Sequence, residues 1–148
     1  MDTLPDVIAT GVDGAPLRLH DLPRPLVVYF YPKDDTPGCT REAQDFSALS
    51  QEFAAAGITV LGVSRDTVAK HAKFRDKHAL TVTLASDLDG SVTEAFGVWG
   101  EKQLYGKTYM GIERATFLFD REAKLVQAWR KVKVPGHAEA VLAAARTR

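Results

Sequence analysis

The chain has 148 residues, of which 45% are hydrophobic, and its 19 Lys and Arg residues balance 19 Asp and Glu residues. This length suffices for one core without disulfides or a structural metal, so we expect a single domain over residues 1–148. The balanced charge provides no basic field for nucleic acid or an anionic membrane, so small neutral partners fit better.

The N-terminal part of the chain predicts a hairpin followed by a strand, a helix and a second strand. Val7 to Leu19 is expected to form two short strands around Asp13-Gly14, a dipeptide suited to a tight turn. The later strands are β-branched and aromatic runs, and apolar residues at helical spacing lie between them. These elements are predicted at Leu26–Tyr31, Arg41–Ala56 and Ile58–Val63. Together they form the crossover unit of a parallel sheet.

The rest of the chain predicts two helices, antiparallel strands and a closing helix. Helices are expected at Thr67–His78, Ser91–Phe96 and Ala138–Ala145, and strands at Val82–Leu84, Ala115–Phe119 and Leu125–Trp129. Residues 120–123 are expected to join the last two strands as a hairpin. The element order indicates an α/β, thioredoxin-like sandwich with a mixed central sheet, helices on both faces and an N-terminal hairpin.

Cellular location is inferred from the N-terminal residues and from cysteine content. The segment MDTLPD is acidic where a signal peptide is basic, and the purest apolar run, Leu26–Phe30, is too short to cross a bilayer. The single cysteine excludes an intrachain disulfide framework and a cysteine zinc site. These features predict a soluble protein of the reducing cytoplasm.

Cys39, the only cysteine, follows Thr36-Pro37-Gly38 near the start of the first predicted helix. The first helical turn leaves N–H groups unpaired and carries partial positive charge, which favours the thiolate. We expect Pro37 and Gly38 to keep the preceding turn non-helical and Gly38 to allow close approach of the backbone to a bound substrate. The Thr36 hydroxyl is placed to donate to sulfur or to a bound oxygen. From position alone, a buried structural thiol is an equally good interpretation.

Two long stretches resemble the peroxiredoxins. "YPKDDTPGCTREA", from Tyr31 to Ala43, contains Pro-x-x-x-Thr-x-x-Cys and is similar to the peroxidatic loop of that family. This stretch and "FGVWGEKQLYGKTYMGIERATFLFD", from Phe96 to Asp120, resemble the Q-type, or bacterioferritin-comigratory, branch. The similarity runs from about Leu17 to the last helix. It implies a thiol peroxidase that reduces hydrogen peroxide or organic hydroperoxides.

The resemblance also implies a role for each site residue. Cys39 attacks the O–O bond of the hydroperoxide, Thr36 hydrogen-bonds the peroxide, and Pro32 shields the thiolate from water. Arg114 matches the arginine of the family pattern, and a guanidinium beside sulfur provides fixed donors to an oxygen that gains charge. Glu42 either orients Arg114 through an ion pair or remains solvated.

The chain departs from the Q-type pattern because it has no resolving cysteine. Gln44 and Thr93 occupy the two positions where Q-type members carry one. We therefore expect an external thiol, from thioredoxin, glutaredoxin or a small molecule, or else Cys39 of another subunit, to reduce the Cys39 sulfenic acid. Q-type relatives are mostly monomers, which predicts a monomer here. The missing thiol leaves open a non-enzymatic redox sensor in which oxidised Cys39 alters partner binding.

Other motifs are weaker, and no metal or cofactor is expected. Gly100–Thr108 has five residues between its glycines where a phosphate-binding loop has four. Asp87–Gly90 lacks the rest of a calcium loop and is expected to cap the next helix. Four histidines are expected to be solvated, at positions His20, His71, His78 and His137. Tyr31 and Trp99 are expected to be core residues that also wall the pocket.

Overall fold

The computed structural model describes all 148 residues. Its strands are β1 (Ile8–Gly11), β2 (Pro16–Arg18), β3 (Leu26–Phe30), β4 (Thr59–Ser64), β5 (Thr83–Ser86), β6 (Trp99–Leu104), β7 (Lys107–Ile112), β8 (Ala115–Phe119) and β9 (Leu125–Trp129). Its α-helices are α1 (Pro37–Ala48), α2 (Ser50–Ala55), α3 (Val68–His78), α4 (Ser91–Ala95) and α5 (His137–Ala145), and a 3-10 helix spans Leu19–Asp21. None of the helices combines the length and apolar character needed to cross a membrane.

Seven strands form one mixed sheet in the order β2-β1-β5-β4-β3-β8-β9. β3 pairs in parallel with β4 and antiparallel with β8, and β4 pairs in parallel with β5. β3 is buried along its whole length, as its apolar sequence predicts for a strand covered on both faces. The loop that leaves β3 therefore starts from the centre of the sheet.

Alternating side chains of β3 divide the core into two clusters. Val27 and Tyr29 pack with Cys39 and with residues of α1, α2, α3 and α5. Val28 and Phe30 pack on the opposite face with α4 and with the N-terminal segment. Successive strand residues point to opposite faces of a sheet, so this division follows from the backbone. The predicted mixed sheet, N-terminal hairpin and helices on both faces are confirmed.

The first helix begins earlier than predicted. α1 starts at Pro37 rather than at Arg41, after Thr36 in an extended conformation. Proline suits the first position of a helix because its fixed φ is helical and the N–H that it lacks would be unpaired there. The expectation that Pro37 and Gly38 form a non-helical turn was wrong. Cys39 is the third residue of the helix.

A hairpin of β6 and β7 lies outside the main sheet and was not predicted as such. Its turn residues, Tyr105 and Gly106, have φ angles of 51° and 77°, the left-handed pair that a two-residue hairpin turn requires. The segment Gly100–Thr108 therefore forms a hairpin instead of a phosphate-binding loop. The hairpin leads directly to Arg114 and β8.

The Asp87–Gly90 turn caps α4, as predicted. Asp87 Oδ1 accepts a hydrogen bond from the Val92 N–H at 3.1 Å, and Oδ2 accepts one from the Thr93 N–H at 2.8 Å. These two N–H groups belong to the first turn of the helix and have no partner within it.

The histidine prediction was wrong for two of the four residues. His71 is 0% exposed and His137 is 7% exposed. His71 Nε2 lies 2.9 Å from the carbonyl oxygen of Ala85, and His137 Nε2 lies 2.7 Å from Thr116 Oγ1. Hydrogen bonds from the neighbouring strands replace water for these rings, which permits their burial.

Gly62 of β4 is expected to be intolerant of any side chain. A Cβ at this position would lie 2.6 Å from Cζ and 2.7 Å from Oη of Tyr29, whose ring stacks on Phe46 at a centroid distance of 4.5 Å. Gly62→Ala should lower the free energy of unfolding by about 2 kcal/mol, because the ring must move within a packed core. Denaturant unfolding of this variant provides the measurement.

Gly100→Ala is the matched control, because a Cβ at Gly100 has no neighbour within 4 Å. Its stability should stay within about 0.5 kcal/mol of the unmodified protein. Equal stability of the two variants would contradict the packing described for Tyr29.

Candidate active site

The Cys39 thiol lies in the first turn of α1 and faces the core. The residue is 2% exposed and belongs to the cluster that contains Tyr29 and Tyr31. The first N–H groups of the helix point toward this end, where they provide a partial positive charge. Cys39 is therefore both buried and located at a helix start, so a reactive thiolate and a buried core thiol do not exclude each other.

Arg114 connects the sulfur to a buried carboxylate. It lies between β7 and β8, and its Nη2 donates to Cys39 Sγ at 3.3 Å while its Nη1 donates to Glu42 Oε1 at 2.6 Å. Cys39 and Glu42 are three residues apart on α1, so they share one face of the helix. The side chain of Glu42 is 1% exposed and that of Arg114 is 18% exposed. Arg114 lies 75 positions after Cys39 and 72 positions after Glu42 in the sequence, so the guanidinium joins distant parts of the chain.

Gly38 allows Arg114 to come this close to α1. A Cβ at position 38 would lie 3.2 Å from Arg114 Nη2, a distance at which the arginine would have to shift. The group that lies close to Gly38 is therefore the guanidinium, and close approach to a bound substrate stays a prediction.

Burial determines the charges of the site. It raises the pKa of Glu42 to about 7 in spite of the adjacent Arg114, which lowers it. The other carboxylate oxygen, Oε2, is buried without a hydrogen-bond partner. Burial lowers the pKa of Arg114, but the neighbouring Glu42 and the Cys39 sulfur together raise it by more, so the pKa of the guanidinium lies above its usual value. The arginine therefore remains a cation, whereas Glu42 can change its charge near neutral pH.

Thr36 and Pro32 lie in the loop before α1. The Thr36 hydroxyl donates to the carbonyl oxygen of Lys33 at 2.9 Å and has no hydrogen bond to the sulfur. Pro32 is half-buried. Among the predicted site residues, Cys39, Arg114 and Glu42 are in direct contact through the guanidinium. Thr36 closes the loop beside them.

Neither position considered for a resolving cysteine faces the sulfur. Gln44 is exposed on α1. Thr93 is buried in α4, where its hydroxyl accepts hydrogen bonds from Arg65, and α4 packs on the opposite face of the sheet from Cys39. Trp99 also packs with that opposite cluster, whereas Tyr31 shares the cluster of Cys39.

Sequence reasoning missed the two residues that fix the loop. Asp34 Oδ1 accepts a hydrogen bond from the Tyr31 hydroxyl at 2.6 Å, and Asp34 Oδ2 lies 2.6 Å from His71 Nδ1. The spacing of His71 and Phe74, three residues apart on α3, was an available signal that the histidine shares the buried face of that helix. No sequence signal identified Asp34 as its partner.

Comparison with known proteins assigns this chain to a family. Residues 1–128 match the AhpC/TSA family. Peroxiredoxin Bcp of Xanthomonas campestris is 58% identical over 80% of this chain and 74% of its own length, and peroxiredoxin Bcp of Bacillus subtilis is 48% identical over 90% and 85%. A structure of the Xanthomonas campestris bacterioferritin comigratory protein is 50% identical, with a TM-score of 0.89 over 96% of this chain and 91% of that chain.

The fold is shared with a more distant protein as well. Peroxiredoxin 6 of Arenicola marina, as a cysteine-to-serine mutant, is 20% identical and has a TM-score of 0.81 over 96% of this chain and 70% of that chain. At this identity the similarity shows the thioredoxin-like fold alone.

Glu42 should make the stability of the protein depend on pH. Its folded pKa of about 7 exceeds the usual value of 4.5 for a glutamate, so the folded state binds more protons between these values. The stabilisation is fully present below about pH 4.5 and is lost as the pH rises through about 7, with a magnitude of roughly 3 kcal/mol. Glu42→Gln should remove this part of the pH dependence.

The measurement is the free energy of unfolding of both proteins from pH 4.5 to pH 8. Their difference isolates Glu42 from His137, whose pKa burial lowers to about 4 and whose contribution therefore increases with pH. A difference that stays constant across this range would contradict the buried, proton-binding state of Glu42.

Proposed function

This chain belongs to the AhpC/TSA family as a peroxiredoxin of the Bcp and Q type, and we propose that it reduces hydroperoxides through Cys39 by a one-cysteine mechanism. The observation that carries the proposal is the 3.3 Å contact between Arg114 Nη2 and Cys39 Sγ. A guanidinium at this distance favours the thiolate and provides donors to an oxygen that gains charge.

In the first half-reaction, the Cys39 thiolate attacks one oxygen of the hydroperoxide. The S–O bond forms as the O–O bond breaks, the sulfur is oxidised to a sulfenic acid, and the leaving oxygen takes a proton to become water or an alcohol. Arg114 is proposed to stabilise the charge that moves onto the oxygens, and Glu42 to hold the guanidinium in place through the 2.6 Å ion pair.

Thr36 and Pro32 are proposed to complete the peroxide site. Because the Thr36 hydroxyl already donates to the Lys33 carbonyl, its oxygen retains lone pairs that can accept the O–H of a hydroperoxide. Pro32 offers no N–H group and presents an apolar ring, which suits exclusion of water from the thiolate. Gly38 leaves the space beside Arg114 open.

In the second half-reaction, an external thiol attacks the sulfenic sulfur of Cys39 and releases water, and a second thiol then reduces the mixed disulfide. The chain contains one cysteine, so it cannot form an intramolecular disulfide. Thioredoxin, glutaredoxin and a small thiol are the candidate donors. A monomeric state and a cytoplasmic location stay predictions of the sequence.

The similar Xanthomonas campestris protein supports an organic substrate, because its structure was described in terms of its alkyl peroxide reduction activity. We include organic hydroperoxides among the substrates of this chain on that basis, beside hydrogen peroxide.

The test is steady-state consumption of hydrogen peroxide and of an organic hydroperoxide with each candidate thiol donor. The proposal predicts sustained turnover that is abolished in Cys39→Ser. A single stoichiometric burst with every donor would contradict the peroxidase cycle and favour the redox sensor, in which sulfenic Cys39 persists.

A further inference from the structure

The side chain of Lys102, in β6, lies across the hairpin of β6 and β7. Its Nζ donates to the carbonyl oxygen of Ile112 at 2.9 Å. A Cβ at Gly111 would lie 2.9 Å from Lys102 Cδ, so the aliphatic part of the lysine occupies the space that this glycine leaves open. Lys102 is therefore half-buried, and its ammonium lies at the end of β7.

The end of β7 is close in the chain to the residues that surround the sulfur. Ile112 is two residues before Arg114, and two residues of extended chain span at most about 7 Å. Ala115, which follows, pairs with Phe30, the last residue of β3. The loop to Cys39 leaves the sheet from that strand end. The ammonium and the sulfur therefore belong to the same edge of the sheet.

The charges of the site act on Lys102. Burial lowers the pKa of this lysine most, the charge of Arg114 lowers it further, and the Cys39 sulfur and Glu113 raise it. The ammonium therefore lies close enough to the guanidinium and to the sulfur to interact with both, and the net effect makes it a stronger acid than an exposed lysine.

Lys102 has no acidic partner. The carboxylates of this region are engaged elsewhere, since Glu113 pairs with Arg130 at 2.8 Å and Glu42 pairs with Arg114 at 2.6 Å. The ammonium makes one hydrogen bond within the protein, to the Ile112 carbonyl, so two of its three N–H groups have no protein acceptor. A half-buried cation without a counter-ion is suited to a negative charge that develops during a reaction.

The first half-reaction needs a proton at the leaving oxygen, and the other polar groups of the site are poor sources of one. Arg114 holds its protons tightly, because its pKa lies above the usual value for an arginine. The Thr36 hydroxyl donates its hydrogen to the Lys33 carbonyl. A protonated Glu42 would lack the charge that pairs with the guanidinium. An ammonium is a much stronger acid than water or an alcohol, so its proton transfer to a leaving hydroxide or alkoxide is favourable.

We propose that the Lys102 ammonium donates the proton to the leaving oxygen when Cys39 attacks a hydroperoxide. The thiolate forms an S–O bond to the terminal, hydrogen-bearing oxygen, and the electron pair of the broken O–O bond goes to the other oxygen. That oxygen takes a proton from Lys102 Nζ and leaves as water or an alcohol. The sulfur becomes a sulfenic acid, and the neutral amine regains a proton from water. The inference rests on the peroxidase function proposed above and adds a proton donor to it.

The experiment compares two oxidants of Cys39 in Lys102→Met by rapid-quench mass spectrometry, in the absence of any thiol donor. Hydrogen peroxide releases hydroxide, which needs a proton, whereas peracetic acid releases acetate, which needs none. Oxidation by hydrogen peroxide should become roughly 100-fold slower, and oxidation by peracetic acid should change by less than about threefold. A nearly unchanged rate with peracetic acid also shows that the variant is folded.

Two lysine variants separate proton transfer from charge. Lys102→Arg keeps the positive charge but does not release a proton, so its reaction with hydrogen peroxide should stay at least roughly tenfold slower than that of the unmodified protein. Lys107→Met removes a charge from the exposed part of the same hairpin and should change either rate constant by less than about twofold. Full activity of Lys102→Arg would overturn proton donation.

Two glycine variants test the placement of Lys102 without replacing it. Gly111→Ala introduces a Cβ against Lys102 Cδ, whereas Gly100→Ala, at the paired position of β6, meets nothing within 4 Å. Gly111→Ala should slow the reaction with hydrogen peroxide by roughly tenfold, because the lysine is displaced from the leaving oxygen. Gly100→Ala should react at the rate of the unmodified protein, and equal rates in the two variants would contradict the placement.

The choice of oxidants distinguishes proton donation from other roles. Equal slowing of Lys102→Met with both oxidants would overturn the proposal, because a structural role or an effect on the thiolate does not depend on the leaving group. Unchanged rates with both would overturn it as well. Failure of the proposed function has a different signature: Cys39 of the unmodified protein would then react with hydrogen peroxide no faster than free cysteine, and the proton donor would be rejected with it.

Discussion

The contact between the Arg114 guanidinium and the Cys39 sulfur is the interaction on which the site depends. Its Nη2 and Nη1 reach two groups of α1 at once, the sulfur at 3.3 Å and Glu42 at 2.6 Å. A planar guanidinium can do this because its donors have a fixed geometry. The surrounding fold serves that contact: β3 and β8 are adjacent strands, one leading into α1 and the other following Arg114, and Gly38 leaves room for the side chain.

Burial strengthens the interaction between the guanidinium and the sulfur, and it also limits access to the sulfur. A sulfur and a cation in a water-poor site interact more strongly than they would in water, and small peroxides need little space. In the proposed cycle, the same burial limits the approach of a thiol donor to the oxidised sulfur. In the proposed one-cysteine cycle, access to the sulfur therefore bears on the second half-reaction, because the reductant comes from outside the chain.

The sequence predicted the parts that depend on local pattern. The buried strand Leu26–Phe30 and the position of the thiol near a helix start follow from apolar runs. The helix start itself was predicted too late, because Pro37 occupies the first position of the helix instead of preceding it. Contacts between distant residues were less accessible. The sequence left Glu42 either paired with Arg114 or solvated, because burial of a carboxylate depends on tertiary packing. The Asp34–His71 pair was missed because nothing local specifies which acidic residue meets a buried histidine.

The most direct test of the central claim compares two reactions of Cys39 in Arg114→Lys, which retains the positive charge but loses the fork of donors. If the guanidinium stabilises the oxygens of the peroxide as well as the thiolate, the rate constant for hydrogen peroxide should fall by roughly 100-fold, while alkylation by iodoacetamide should fall by less than about tenfold, since it has no such oxygen to stabilise. Equal changes in both reactions would contradict the account, because they would leave no specific role for the guanidinium donors at the peroxide oxygens.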